Sequence, residues 1–115
     1  MTLLFGEAAY NQLYHNNKRS AKLRGHNWNL RKQDFKSLTQ MQCYYCGIEP
    51  SQIYHNKELN GDYLYNGVDR IDNNLGYIYG NVLPCCKTCN YVKSNQSMRE
   101  FQAWIDRLVE HQGRQ

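Results

Sequence analysis

Two pairs of cysteines in Cys-x-x-Cys spacing constrain the fold of this chain more than any other feature. The pairs are Cys43 with Cys46 and Cys86 with Cys89, and residues 47–85 lie between them. Two such pairs in one small chain indicate a tetrahedral zinc site with four thiolate ligands, whereas a redox pair usually occurs alone beside a βαβ pattern. Because four thiolates leave no open coordination position, we expect this zinc to be structural.

The fifth cysteine, Cys85, directly precedes the second pair. It either packs as a small apolar residue or replaces Cys86 among the metal ligands. An odd number of cysteines in this spacing does not suit a disulfide framework, and the N-terminus lacks the positively charged segment that begins a signal peptide. We therefore expect the protein to work in a reducing cytoplasm.

The positive charge of the chain is concentrated in its first third. The net charge is +4, yet residues 1–42 alone carry seven Lys or Arg side chains against two acidic ones. Lys and Arg docked on phosphates release condensed counterions, so this segment favours a nucleic acid as partner, and a solvated basic helix face is the alternative. No segment is long enough to span a membrane. The candidate phosphate contacts are Lys18, Arg19, Lys22, Arg24, Arg31 and Lys32.

The composition allows one thin hydrophobic core. At 115 residues, with 41% hydrophobic residues and a mean hydropathy of −0.83, the chain needs an additional constraint such as zinc. We divide it into a basic helical arm, residues 1–42, and a zinc-bound domain, residues 43–115, and expect a single compact unit. The arm contains two predicted helices, at residues 7–24 and 31–39, the first closed by Gly25.

The centre of the chain, residues 67–93, predicts a β-hairpin followed by a metal knuckle and a short helix. Its elements are a strand at residues 67–71, a turn at residues 72–76 and a second strand at residues 77–79. Pro84 and the paired cysteines are predicted to end strand character, and the helix follows from Asn90. This hairpin brings Asp69 towards Asn90, so that two oxygen donors can share one hard cation.

The segments on either side of this centre differ in predicted structure. Residues 48–66 lack a sustained period and are predicted to be a loop. A Ser-x-x-Glu capping box, from Ser97 to Glu100, predicts the start of a last helix. Apolar side chains recur at helical spacing on one face of this helix, which we expect to be core: Phe101, Trp104, Ile105, Leu108 and Val109.

In their order along the chain, these motifs resemble those of the HNH endonucleases, and in particular small phage-type proteins whose ββα-metal unit is braced by a four-cysteine zinc. The resemblance covers residues 43–105 and rests on the segments CYYCG, GVDRIDN, GYIYGNV, CCKTCNYVK and SMREFQAWI. It implies an α+β fold in which a treble-clef-like ββα-metal unit, held by zinc, is flanked by N- and C-terminal helices. It also implies DNA as the substrate, in a bacterial or phage-infected host cell.

The resemblance assigns roles to four further residues. Asp69 and Asn90 match the family's ligands for a catalytic divalent ion, Mg²⁺ or Mn²⁺, and Asn81 matches the asparagine that braces the loop and orients the catalytic residue. Lys93 joins the residues expected to contact DNA. The implied reaction is hydrolysis of a phosphodiester bond, in which the cation stabilises transition-state charge and assists departure of the 3′ oxygen.

One position departs from the family pattern, because Arg70 stands where the family has its general-base histidine. Arginine is not deprotonated in proteins and cannot activate water in that way. Three alternatives stay open: Arg70 clamps the phosphate while another group takes the proton, His55 supplies an imidazole from the preceding loop, or the chain binds DNA with little cleavage. We expect a working endonuclease or nickase with a changed base, acting as a monomer or homodimer. The alternative function is a non-catalytic, zinc-stabilised DNA-binding module or a nuclease accessory protein.

Overall fold

The structure, a computed structural model, describes residues 4–113 of the chain. It is a mixed α+β fold, as the sequence predicts, with two antiparallel sheets of two strands each. None of the helices in this described part has both the length and the apolar composition that crossing a membrane requires. In chain order, the elements are α1 (Glu7–Leu23), α2 (Lys32–Thr39), β1 (Gln52–Tyr54), β2 (Tyr63–Tyr65), β3 (Gly67–Arg70), β4 (Val82–Cys85), α3 (Lys87–Lys93) and α4 (Met98–Gly113).

The two predicted N-terminal helices are present and supply much of the hydrophobic core. On α1, Tyr10, Leu13 and Tyr14 follow an i, i+3, i+4 spacing, and all three are buried on one face. Phe35 of α2 packs against this face, with its ring centroid 6.3 Å from that of Tyr10 and 5.8 Å from that of Tyr14. The same core includes Tyr63 of β2, so it contains residues from both segments into which we divided the chain.

The hairpin of β3 and β4 has its first strand where predicted, but its second strand is displaced. β4 begins at Val82, whereas the predicted strand covered residues 77–79, where Tyr77 makes only an isolated bridge to Trp28. Pro84, predicted to end strand character, lies inside β4. Proline is tolerated there because β4 pairs with one neighbour only, as an edge strand does. The prediction was wrong because the β-forming side chains at 77–79 are used by a long-range contact that local patterns do not show.

Residues 48–66, predicted to be a loop, contain a second hairpin, so that prediction was also wrong. β1 and β2 have three residues each, which is too short for a period of two to be visible in the sequence. Tyr63 anchors the hairpin in the core. Asn66, directly after β2, is fully buried, and its side-chain amide donates to the carbonyls of Met41 and Ile48 at 2.9 and 3.1 Å. These bonds fix the hairpin beside the first cysteine pair.

The last helix begins as predicted but is less buried than predicted. Ser97 N–H donates to Glu100 Oε1, and Glu100 N–H donates to Ser97 Oγ, each at 3.1 Å, which confirms the capping box. Phe101 is buried, with 1% exposure, but Leu108 and Val109 are 43% and 64% exposed. The expectation that the whole apolar stripe is core was therefore wrong for its C-terminal half, because only the start of α4 packs against other elements.

Candidate active site

Four cysteine thiols come together beside the start of α3. The Sγ atoms of Cys43, Cys46, Cys86 and Cys89 all lie within 4.8 Å of one another, and those of Cys46 and Cys86 are 3.7 Å apart. Tetrahedral zinc–thiolate bonds of about 2.3 Å place sulfur atoms about 3.8 Å apart, so this cluster can hold a metal such as zinc. Cys85 lies outside the cluster, buried in β4 with 1% exposure. Of the two alternatives for the fourth thiol, the structure selects Cys86.

Backbone geometry prepares these thiols for a metal. Gly47, with a φ of 78°, makes the tight turn after the first pair. Cys86 is the N-cap of α3, and its Sγ accepts a hydrogen bond from Cys89 N–H at 3.4 Å. Burial acts to raise the pKa of the Cys43 thiol, but hydrogen bonds from Cys46, Cys86 and Tyr45 together outweigh it and lower the pKa to about 7. The thiolate, which is the metal-binding form, is thereby favoured at Cys43.

A ββα unit formed by β3, β4 and α3 places Asp69 and Asn90 at one cavity. Cys86 alone separates β4 from α3, so the helix turns back towards β3. Both residues line a cavity of about 350 Å³. Carboxylate and amide oxygens are the donors that hard divalent cations prefer, so this donor set fits Mg²⁺ or Mn²⁺. The remaining lining residues are Arg24, Val68, Arg70, Asn73, Tyr77, Ser94 and Asn95.

Lys93 lies inside the protein beside this cavity. Its side chain has no exposed area, and its Nζ lies 3.0 Å from Oδ2 of Asp69, whose side chain is 12% exposed. Because Lys93 follows Asn90 by three residues, one face of α3 carries both side chains. We expected Lys93 among the DNA contacts, but in this structure its ammonium reaches Asp69 and is not accessible to a phosphate.

Asn81 is buried and holds the turn between β3 and β4. Its Oδ1 accepts a hydrogen bond from the backbone N–H of Asp72 at 2.9 Å. Its Nδ2 donates to the carbonyls of Gly76 at 2.9 Å and Asp72 at 3.2 Å. With all of its side-chain polar atoms bonded to this turn, Asn81 fixes the backbone that follows Asp69 and Arg70.

Arg70 is held by the same turn. Its Nη1 donates to the carbonyls of Asn73 at 2.8 Å and Leu75 at 3.2 Å. The guanidinium lies over the ring of Tyr77, 5.6 Å from the centroid, and Nη1 is 3.4 Å from Nδ1 of His26. Backbone carbonyls and an aromatic face thus position the guanidinium at the wall of the cavity.

The loop after α1 completes the cavity. Tyr77 N–H donates to the carbonyl of Asn27 at 2.8 Å, and Nη2 of Arg24 donates to the Tyr77 hydroxyl at 3.4 Å. This docking brings His26 beside Arg70. Partial burial and then the positive charges of Arg70 and Arg24 lower the pKa of His26, so its imidazole is neutral at neutral pH.

Comparisons with known proteins relate this chain to a solved structure. No family model matches the sequence. The rare-cutting HNH restriction endonuclease PacI, described for its perturbation of DNA, aligns with a TM-score of 0.62 and 26% sequence identity, over 90% of this chain and 81% of PacI. The chain has the fold of an HNH endonuclease.

A viral protein is similar to part of the chain. An uncharacterized protein of Acanthamoeba polyphaga mimivirus is 36% identical over 78 residues. Those residues are 68% of this chain but only 13% of the mimivirus protein. The match therefore relates this HNH chain to a small part of a longer viral protein.

Within the HNH fold, the predicted site residues are not all brought together. Asp69, Arg70 and Asn90 line the same cavity. His55 is not among the residues that line it, because it lies on the other hairpin, between β1 and β2. Its Nδ1 is 2.5 Å from Oδ1 of Asp62, and its side chain is 64% exposed. The imidazole that lies next to Arg70 is instead that of His26, which contacts Arg70 from outside the set of residues that line the cavity.

The predicted basic contacts occupy three places on the HNH fold. One group lines an exposed groove along α1: Lys18, Arg19 and Lys22. Arg24 follows α1 directly and lines the Asp69–Asn90 cavity, so the basic residues of α1 lead towards it. At the start of α2, Arg31 pairs with Asp34 at 3.1 Å, and Lys32 is exposed.

Proposed function

We propose that this protein is a metal-dependent DNA endonuclease or nickase that hydrolyses phosphodiester bonds at the Asp69–Asn90 cavity. The supporting observation is a strand-borne carboxylate and a helix-borne amide at one cavity, in a fold that matches an HNH endonuclease. Arg24 and Arg70 line the same cavity and suit an anionic substrate. The proposed metals are structural zinc on the four thiols and Mg²⁺ or Mn²⁺ held by Asp69 and Asn90.

The side chains in and around this cavity have different roles in the proposed reaction. A divalent cation bound there supplies Lewis acidity for the charge that develops on the scissile phosphate and on the departing 3′ oxygen. Arg24 and Arg70 bind and orient the phosphate oxygens through their guanidinium groups. Asn81 keeps the end of β3 in place, and Lys93 fixes the orientation of the Asp69 carboxylate. These contacts leave the attacking water in need of a proton acceptor.

His26 is the proton acceptor that we propose, since Arg70 cannot take up this proton. Its imidazole is neutral at neutral pH. Nη1 of Arg70, which can only donate, lies 3.4 Å from Nδ1 of His26, so Nδ1 accepts the water proton after Arg70 has turned to the phosphate. General-base catalysis contributes about 10²- to 10⁴-fold, so His26→Gln should lower single-turnover cleavage by at least about 100-fold while DNA binding is retained. His55→Gln is the matched control and should cleave like the parent protein. The opposite result would move this role to His55.

Basic residues outside the cavity bind the phosphates of the DNA backbone. Replacing Lys18, Arg19 and Lys22 together by Gln should weaken DNA binding and reduce its dependence on salt concentration, because fewer counterions are released. Arg31 and Lys32, at the start of α2, are further candidate phosphate contacts at a separate place. One cavity per chain cuts one strand, so a double-strand break requires two copies or two events. The mimivirus relative favours action inside a virus-infected cell, with a bacterial host cell as the alternative.

Cleavage of supercoiled plasmid by the zinc-loaded protein tests the proposal. Asn90 is exposed, so Asn90→Ala removes a cation ligand without leaving a buried group unpaired. Asn74 is an exposed asparagine outside the cavity, and Asn74→Ala is the matched control. We expect nicking that depends on Mg²⁺ or Mn²⁺ in the parent and in Asn74→Ala, and a loss of at least about 100-fold in Asn90→Ala with zinc retained. DNA binding by the parent without divalent-dependent cleavage would support the non-catalytic DNA-binding module or accessory protein instead.

A further inference from the structure

The charges around the Asp69–Asn90 cavity do not favour a cation in the free protein. Among the described residues that line the cavity, Asp69 carries the only carboxylate. Arg24 and Arg70 add two positively charged side chains to the lining. A divalent cation entering alone therefore meets one acidic ligand and two positive side chains, and cation affinity falls as ligand charge falls.

Lys93 further reduces the negative charge that the cavity offers to a cation. Its Nζ is fully buried, 3.0 Å from Oδ2 of Asp69, so a fixed positive charge already balances the one carboxylate. Neither atom has another hydrogen-bond partner within residues 4–113. Solvent does not screen this pair as it screens a surface pair, because the ammonium has no exposed area. The cavity with Lys93, Arg24 and Arg70 is therefore positive before any cation enters.

A phosphate group reverses this balance. Two guanidinium groups can hold its oxygens, and its negative charge then compensates the positive side chains. The phosphate oxygens also add hard ligands to those of Asp69 and Asn90, which resembles the usual way in which Mg²⁺ is bound by one or two carboxylates together with substrate phosphates. The structure therefore favours an anion in the cavity first, and a cation only when that anion is present.

We propose that Lys93 makes divalent-cation binding at Asp69 conditional on DNA. The proposal rests on the proposed function, because it takes the same cavity as the cation and phosphate site. Lys93 is a positioning residue here: it touches neither substrate nor cation, and it acts through the charge of Asp69. Since coupling between two binding sites is reciprocal, the cation strengthens DNA binding by the same factor by which DNA strengthens cation binding.

Manganese binding to the zinc-loaded full chain tests the proposal. Free Mn²⁺ is counted by electron paramagnetic resonance with the protein alone, with a short DNA duplex alone, and with both together. We expect the protein–DNA complex to bind Mn²⁺ at least about tenfold more tightly than the protein alone, after subtraction of the ions held by the duplex. Equal affinity in the presence and absence of DNA would overturn the proposal.

Variants assign the effect to the charge of Lys93. Lys93→Met keeps the length of the side chain and removes its charge, so the free protein should bind Mn²⁺ at least about tenfold more tightly and the coupling to DNA should shrink. Lys87→Met is the matched control, because Lys87 is an exposed lysine of the same helix outside the cavity. Unchanged Mn²⁺ affinity in a folded Lys93→Met would overturn the role of Lys93.

A second variant covers the case in which Lys93→Met does not fold. Arg24 is exposed at the end of α1, and Arg24→Gln removes another positive charge from the same cavity. It should also tighten Mn²⁺ binding by the free protein, and no change would contradict the charge argument. If the parent cleaves DNA but shows no coupling, this proposal alone fails. If the parent neither binds Mn²⁺ with DNA nor cleaves, the proposed function fails with it.

Discussion

At the scale of single residues, Asp69 combines two functions that one substitution does not separate. Its carboxylate is the proposed cation ligand, and it also compensates the buried ammonium of Lys93. Removal of one partner of a buried ion pair leaves an uncompensated charge in a medium that solvates it poorly. A variant of Asp69 therefore tests folding and catalysis together, whereas Asn90 is exposed and tests catalysis alone.

We expect Asp69→Ala to lower the free energy of unfolding by about 3–5 kcal/mol, measured by urea denaturation of the zinc-loaded protein. The double variant Asp69→Ala with Lys93→Met should recover most of this loss, because it removes both charges. Asp106→Ala, at an exposed site on α4, is the control and should change stability little. Equal stability of Asp69→Ala and the parent would show that the buried pair contributes nothing.

The surroundings of His26 predict a pH dependence. Partial burial and the charges of Arg70 and Arg24 lower its pKa below the usual 6.5, and the ring of Tyr77 packs edge-on against it. Because the folded pKa is depressed, the contribution of His26 to stability is present above about pH 6.5 and is lost as the pH falls below it. NMR titration should show the low pKa in the parent and a rise towards 6.5 in Arg24→Gln. The acid limb of the cleavage rate should move with it, and a pKa of 6.5 in both proteins would contradict this account.

At the scale of elements, local signals predicted what local interactions determine. The helical spacing of Tyr10, Leu13 and Tyr14 predicts α1, and the Ser97–Glu100 capping box predicts the start of α4, since both depend on residues within one or two turns. The position of β4 and the presence of β1 and β2 were not predicted, because strand pairing depends on partners distant in sequence. The exposure of Val109 was missed for the same reason, since a helical stripe does not show whether a neighbouring element covers it.

The sequence predicted the part of the candidate site that is continuous in the chain, and it did not predict the part that depends on long-range contacts. Cysteine spacing and the order of the motifs located Asp69 and Asn90, because the ββα unit is continuous in sequence. The position of His26 beside Arg70 depends on residues 26–29 docking against residues 76–79, and no local pattern records that contact. The burial of Lys93 was not predicted because lysine is almost never fully buried unless it is paired.

Gly76 is the residue that allows this docking. A Cβ at position 76 would lie 2.3 Å from the carbonyl oxygen and 2.7 Å from the backbone nitrogen of Asn27. We expect Gly76→Ala to cost about 1–3 kcal/mol of stability and to lower cleavage, because Arg24 and His26 shift with the loop. Gly113→Ala is the matched control, since among the described residues nothing beyond its own helix and chain neighbours lies within 4 Å of its added Cβ. Equal melting temperatures of the two variants would show that the loop adjusts without cost.

At the scale of the whole molecule, two centres hold the fold together. One is the aromatic core between α1, α2 and β2, and the other is the four-thiol cluster. The cluster connects the segment after α2 to the start of α3, and therefore holds the ββα unit on the rest of the chain. The binding free energy of a structural zinc is in effect folding free energy.

Zinc content separates the thiols of the cluster from the remaining cysteine. We expect the parent and Cys85→Ala to retain the metal, and Cys86→Ala to lose it, as measured by elemental analysis of the purified proteins. A strong chelator should unfold the ββα unit, abolish cleavage even in excess Mg²⁺, and be reversed by added zinc. If Cys86→Ala retained zinc and Cys85→Ala lost it, the fourth metal ligand would be Cys85, and the assignment of Cys86 would be contradicted.

The most direct measurement is a crystal structure of the zinc-loaded protein bound to DNA and soaked in Mn²⁺, with anomalous scattering used to locate the manganese. We expect a manganese peak at a phosphate, with an Asp69 carboxylate oxygen and the Asn90 amide oxygen each at about 2.1 Å, and a separate zinc peak among the four thiols. Manganese found away from Asp69 and Asn90, or absent from the cavity while DNA is bound there, would contradict the account.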